Sequence, residues 1–321
     1  MAKPGIVLIV VYMGRLPGLF PLWLASCKSN PSVDWLIYTD DRGAYDYPPN
    51  VQPVYCHFDE IKEKFQDNFD FDITLDSIVK LCDYKTAYGD IFKEEIKDYE
   101  YWGYCDVDVI WGNLEKFIQE HKLLDYDKAS DTGHFTLYRN TPELRELYKK
   151  GAEKGLADYK TVYTSPRIHA FDEWGESKGI NAIFLAHGKT LFYKKLLFAD
   201  INVFSYNLQT TRMMYGDSTE EEKQKQKIIY QYRKGNLYQH FTTHEPHTAG
   251  VKEELYIHLQ KRKMILPAQV NPGSFLIIPP NKIINWDENE PVTIKTVKLY
   301  GSRPRLYLTN VIKHLKQKLK P

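Results

Sequence analysis

Two carboxylates separated by one residue, Asp106-Val107-Asp108, are the clearest chemical signal in the chain. An aromatic run, Tyr101-Trp102-Gly103-Tyr104-Cys105, leads into them, and Val109-Ile110-Trp111 follows. On a regular strand residues i and i+2 face the same way, and on a turn they converge on one ion. Placing two charges among apolar neighbours costs free energy that a divalent cation would offset directly. A few hard oxygen ligands suit Mg2+ or Mn2+ bound jointly with a substrate's phosphates. A second cluster, His240, His244 and His247, has spacing that could build a zinc site. Pro246 interrupts any helix there, so the segment reads instead as a loop.

The elements that must position these groups read as α/β. Ile6–Val11 is an unbroken aliphatic run, Leu19–Ser26 reads as helix, and Trp35–Tyr38 is a second apolar run ending in Thr39-Asp40-Asp41. Strand, helix and strand within about 35 residues predict a βαβ opening and a mostly parallel sheet flanked by helices. Ligands of such sheets sit at the carboxyl ends of the strands, where Tyr12 and Asp40-Asp41 fall. One or two helices are expected over Leu75–Lys97, a helix over Thr141–Gly151, and strands at Phe135–Tyr138, Leu255–Ile257 and Phe275–Ile278. Glu220–Lys227 reads as a solvated charge run.

Composition narrows the class. The chain has 321 residues, 43 Lys+Arg against 42 Asp+Glu, and 43% hydrophobic residues. That excludes disorder and any broadly basic nucleic-acid binder. Aromatic content is high at 14%, with 24 Tyr, and tyrosine suits sugar rings and nucleobases as well as packing. Four scattered cysteines without a CxxC pair predict free thiols and a cytoplasmic setting. No apolar run approaches the 18 residues of a membrane span.

The stretch Asp83-Tyr84-Lys85-Thr86-Ala87-Tyr88-Gly89, followed by Tyr101-Trp102-Gly103-Tyr104-Cys105-Asp106-Val107-Asp108, resembles the DXD-type nucleotide-sugar glycosyltransferases of the GT-A (Rossmann-like) fold. It looks most like bacterial enzymes that assemble capsule, exopolysaccharide or lipopolysaccharide chains. The resemblance implies a catalytic domain over residues 1–265 and a C-terminal extension over 266–321. It also implies Mn2+ or Mg2+, a UDP-sugar donor and a saccharide acceptor, which a lipid-linked sugar would satisfy; a hexosyl unit would move with inversion. The metal would be held by Asp106, Asp108 and His258, with the Val107 backbone alongside and Lys261, Arg262 and Lys263 on the diphosphate. Val11, Tyr12, Asp40 and Asp41 would hold the nucleoside, and Asp83 and Lys85 the ribose, phosphate or donor sugar. Asp172, with Glu173 as runner-up, would be the base that deprotonates the acceptor, Trp174 would stack on the acceptor sugar, and Asp131 and His134 would be polar contacts. Beside such a site, the segment with His240, His244 and His247 is expected to be a mobile acceptor-side loop.

Arg303–Pro321 carries Leu308, Val311, Ile312, Leu315 and Leu319 at helical spacing among lysines. It predicts a basic amphipathic helix that either touches the anionic inner face of a membrane or packs on the domain. Two rival readings remain open. One is a haloacid-dehalogenase-like phosphatase with Asp106 as nucleophile, although Ile110 stands where that motif wants Thr or Val. The other is a non-enzymatic carbohydrate-binding protein.

Overall fold

A computed structural model describes residues 5–175, 177–193, 197–212, 219–243 and 249–312. The chain forms two compact units, each discontinuous in sequence. The first comprises Met1–Leu16, Asn30–Val107 and Glu115–Lys194; the second comprises Pro17–Ser29, Asp108–Leu114 and Lys195–Pro321.

In chain order the strands are β1 (Ile6–Tyr12), β2 (Val33–Thr39), β3 (Val51–Tyr55), β4 (Tyr101–Cys105), β5 (Val109–Trp111), β6 (Lys128–Thr132), β7 (Phe135–Arg139) and β8 (Leu191–Phe192). They continue with β9 (Ala199–Asp200), β10 (Ile228–Arg233), β11 (Asn236–Thr242), β12 (Ala249–Glu254), β13 (Tyr256–His258), β14 (Ser274–Ile278) and β15 (Lys282–Asn285).

The first unit is built on a seven-stranded sheet of order β3-β2-β1-β4-β7-β6-β8. Neighbours are parallel from β3 through β4, and β7 runs antiparallel to both β4 and β6. This is the mostly parallel α/β sheet that the sequence predicts. The β1 residues Ile6–Val10 are buried, as expected for a central parallel strand covered on both faces. Its register sets Tyr12 opposite Thr39 and Ile9 opposite Tyr104, while Cys105 faces Phe135 at the start of β7. The carboxyl ends of β1, β2 and β4 therefore share one edge with the Gly133-His134 turn.

Leu75–Lys97 departs from the expected helices. It is a string of short helical turns at Ile78–Lys80, Leu81–Tyr84, Lys85–Ala87 and Tyr88–Ile91. Ile78, Val79, Thr86 and Gly89 weaken a continuous helix, and aromatic packing sets the path instead. Tyr84, Tyr88 and Phe92 surround Phe65 with ring centroids 5.6, 5.9 and 6.0 Å away. Tyr84 stacks on Tyr163 at 4.3 Å and Trp102 on Tyr138 at 4.5 Å. Much of the tyrosine excess is thus core packing.

The second unit has an antiparallel sheet of order β12-β11-β10-β14-β15 and a small sheet β5-β13-β9. The turn Lys234-Gly235 joins β10 to β11 with φ of 47° and 83°, a left-handed pair in which glycine carries the second position without strain. The helix Ile294–Tyr300, capped by the Thr293 side chain, packs Val297 against Ile229, Leu276 and Ile278. Because β14 pairs with β10, residues on both sides of 265 share one sheet, so the boundary expected there does not coincide with a unit boundary. The helix Phe20–Lys28 also lies in this unit, against β5. Glu220–Lys227 is only partly the solvated face expected: Glu220, Lys223 and Gln224 are exposed, but Glu222 and Lys225 are buried, and the Lys225 ammonium donates to Gln239 at 2.6 Å. No disulfide joins the four cysteines.

Candidate active site

The acidic motif is where the chain passes from one unit to the other, with Asp106 in the first and Asp108 in the second. At the first unit's end, Asp106 follows β4, its N–H bonded to His134 O at 3.1 Å. Lys85 Nζ lies 2.7 Å from Asp106 Oδ1 and 4.0 Å from Asp172 Oδ2, and donates to Gly133 O at 2.7 Å. Burial works against the Lys85 charge, yet the Asp106 and Asp172 carboxylates hold its proton well above the ordinary lysine range. Burial pushes the Asp172 carboxyl up to about 8 despite Lys85. Lys85 is thus the counter-charge of Asp106, and Asp172 keeps its proton at neutral pH.

The Asp172-Glu173 pair is pinned from three sides. Tyr104 Oη donates to Asp172 O at 3.0 Å, Gly133 N to Glu173 Oε1 at 2.7 Å, and Phe171 N to Asp83 Oδ1 at 3.0 Å. A Cβ on Gly133 would stand 2.5 Å from Asp172 Oδ2 and 3.0 Å from Glu173 Oε1, so only glycine lets the turn approach both acids. Trp174 Nε1 donates to Asp131 Oδ2 at 3.0 Å, and His134 is buried with Nδ1 3.5 Å from Thr132 Oγ1.

Asp83 differs from its expected role as a donor contact. It is fully buried, 2.8 Å from the equally buried Lys80, and accepts N–H groups from His169 and Phe171. Lys80 in turn donates to Val162 O at 2.9 Å and Arg167 O at 2.6 Å. This pair clamps the segment that leads into Asp172. Asp40 and Asp41 also spend their carboxylates on the chain: Gly14 N donates to Asp40 Oδ1 at 2.6 Å, and Leu16 N to Asp41 Oδ2 at 2.8 Å. They hold the loop after β1, next to the half-buried Val11 and Tyr12.

In the second unit, β13 pairs with β5 and β9 so that His258 lies opposite both Val109 and Asp200. His258 Nε2 is 3.4 Å from Asp108 Oδ1, and its Nδ1 is 2.8 Å from Asp200 Oδ1. Burial disfavours the imidazolium, but the two carboxylates outweigh it and hold its pKa at about 10. Burial likewise opposes the Asp108 charge, and the bond to His258 outweighs it, bringing that pKa to about 2. Gln260 and Lys261 both adopt left-handed φ, 52° and 55°, which turns the Lys261 N–H onto Asp108 Oδ2. Non-glycine residues hold that conformation at a cost, so the turn after β13 is shaped around Asp108.

Asp108 and His258 fit a hard divalent cation: an oxygen and an imidazole nitrogen at a separation close to the ~3 Å between adjacent ligands of one Mg2+-sized ion. The Lys261 and Lys263 side chains are exposed on the same turn. Arg262 departs from the expected diphosphate contact. It is buried, donating to Pro280 O, Asn202 O and Ser205 O at 2.6, 2.9 and 2.9 Å, and it lies over the Tyr307 ring. His240 is buried and bonded to Gln231 Oε1 at 3.0 Å, whereas His244 and His247 lie outside the described residues. Asp200 escaped sequence reasoning, because a two-residue strand 58 positions before His258 carries no spacing signal.

A family model described as a family of unknown function, DUF6625, matches residues 8–287. Among solved structures, the galactosyltransferase LgtC in complex with donor and acceptor sugar analogues is similar at 14% identity, covering 60% of this chain and 74% of that chain, with a TM-score of 0.32. Mouse xyloside xylosyltransferase 1 in its apo form is similar at 9% identity, covering 61% of this chain and 86% of that chain, also with a TM-score of 0.32. No curated protein matches.

Proposed function

The chain belongs to DUF6625, and we propose that it is a metal-dependent glycosyltransferase that moves a hexosyl unit from a UDP-sugar to a saccharide acceptor in surface polysaccharide synthesis. The observation that carries this reading is the Asp108–His258 pair, fixed by a turn built around Asp108, immediately after Asp106 in the acidic motif. In this reading Asp106, Asp108 and His258 hold Mn2+ or Mg2+ beside the Val107 backbone. The ion, when bound, neutralises the charge that develops on the departing diphosphate.

Lys261 and Lys263 add positive charge for the same phosphate oxygens. Val11 and Tyr12, on the loop that Asp40 and Asp41 pin, receive the nucleoside. Lys85 keeps Asp106 oriented by ion pairing. Glu173 accepts the proton of the acceptor hydroxyl, because Asp172 retains its own proton to about pH 8. That reverses the order within the pair expected from the sequence. Trp174 stacks on the acceptor. Inverting transfer follows from having a base on the acceptor side.

The same reading places the chain in the cytoplasm, with the basic segment from Arg303 onward against an anionic inner membrane face. Leu306, Leu308 and Ile312 are 54%, 64% and 52% exposed there, and residues 313–321 lie outside the described residues. Among the described residues no helix is long and apolar enough to cross a membrane.

The test is thermal denaturation with UDP, with and without Mn2+, followed by a screen of nucleotide sugars for metal-dependent hydrolysis. Wild type should be stabilised by UDP only when Mn2+ is present, and Asp106→Asn or Asp108→Asn should lose both that response and turnover. A wild-type protein indifferent to UDP and Mn2+ would overturn the reading.

A further inference from the structure

Asp200 was visible in no sequence motif, yet it lies closer to the His258 ring than Asp108 does. Its Oδ1 lies 2.8 Å from Nδ1, while Nε2 on the other side of the ring faces Asp108. An imidazole has two nitrogens, and the one that donates to a carboxylate leaves the other to bind a metal. Asp200 is itself held at both oxygens. Gln260 Nε2 donates to Oδ1 at 2.6 Å, and Thr211 Oγ1 donates to Oδ2 at 2.9 Å. The carboxylate therefore cannot rotate away from the ring without giving up bonds to two other side chains.

This carboxylate is not needed to join its strand to β13. The Ile201 N–H donates to His258 O at 3.0 Å, so the backbone pairing stands without the Asp200 side chain. What the side chain adds is a fixed orientation for one imidazole, and a negative charge beside it.

Resting on the metal reading above, we propose that Asp200 is a positioning residue of the metal centre: it keeps the proton of His258 on Nδ1 and directs Nε2 beside Asp108, so that a divalent cation meets a preset ligand. Asp200 also lies within ligand distance of His134 and His258; in this role its carboxylate supports the imidazole instead of joining it on the ion. Thr211 and Gln260 are the outer supports of the same device.

The test measures Mn2+ binding to the full-length protein by electron paramagnetic resonance of free Mn2+, without nucleotide, alongside thermal denaturation in the absence of metal. Asp200→Ala should weaken Mn2+ binding about 10- to 100-fold, the range for loss of such outer partners. Asp200→Asn, whose side-chain oxygen still accepts from Nδ1, should recover most of the affinity. Gln260→Ala should weaken binding in the same direction by less, and it carries the test if Asp200→Ala does not fold. Both Asp200 variants remove one of the two carboxylates that hold the metal-free imidazolium and should lower the metal-free melting temperature together, so the difference between their Mn2+ affinities, and not their stability, reads the positioning. Wild-type affinity in Asp200→Ala, or equal losses in the Ala and Asn variants, would overturn the role of Asp200 alone. Absence of Mn2+ binding in wild type would overturn the metal reading itself, and this role with it.

Discussion

The two carboxylates of the acidic motif are neutralised by different means. Asp106, in the first unit, faces a lysine ammonium at 2.7 Å whose proton is held above the ordinary lysine range. Asp108, in the second unit, faces an imidazole at 3.4 Å that a second carboxylate holds from behind. An ammonium is a permanent counter-charge, whereas an imidazole can surrender its Nε2 proton and remain a ligand. The first arrangement fixes a geometry. On the proposed reading the second exchanges a proton for a metal ion, as ligand sites of this chemistry do.

The largest effect that would break this comparison is on stability. Lys85→Met leaves the partly exposed Asp106 carboxylate without its cation, and it should cost about 1–3 kcal/mol in urea unfolding, as loss of a hydrogen bond to a charged group does. Lys85→Met combined with Asp106→Asn should recover part of that loss. If single and double variants unfold alike, the ammonium is not the counter-charge of Asp106.

A smaller effect separates the units by pH. Asp172 has its pKa raised from 3.8 to about 8 in the folded first unit, so its contribution is complete below pH 3.8 and is lost as pH rises through 8. His240 of the second unit is lowered by burial from 6.5 to about 4, so its contribution is present above pH 6.5 and is lost as pH falls through 4. Urea midpoints should reveal opposite slopes, each at most about 1.4 kcal/mol per pH unit. Asp172→Asn should flatten the decline between pH 4 and 8, and His240→Gln the decline on the acid side of pH 6.5. A slope that survives its own substitution belongs to another group.

The smallest effect leaves folding untouched. Replacing Leu306, Leu308 and Ile312 by serine should move the protein from anionic vesicles to the supernatant in a sedimentation assay, without changing its melting temperature. Equal sedimentation of variant and wild type would remove the membrane from the proposed function.

What was legible in the sequence is what local pattern can carry. The apolar runs at β1, β2, β7 and β14, and the break between aromatic segments at Asp106-Val107-Asp108, all read through to the structure. Burial of charged groups did not. Asp83 read as a ligand contact because it lies in the stretch that resembles the transferase motif, and Arg262 because two lysines flank it, but apart from Lys80 their partners lie far along the chain, at His169 and Phe171 for one and at Asn202, Ser205 and Pro280 for the other. Glu222 and Lys225 looked solvated because they sit in a charge run. Only tertiary pairing makes such charges tolerable inside, and no spacing rule encodes it.

The second unit is assembled from Pro17–Ser29, Asp108–Leu114 and Lys195–Pro321. During synthesis its first helix, Phe20–Lys28, emerges early, but the sheet-forming segments from Ile228 onward come some two hundred positions later. Contacts between segments so distant carry a high loop-closure cost and slow folding. The helix must therefore wait with its apolar face open while the first unit's early strands are being made, which is when such chains are most exposed to aggregation. Expression yield should accordingly respond to chaperone supply, and neither unit is obtained by cutting the chain at one point.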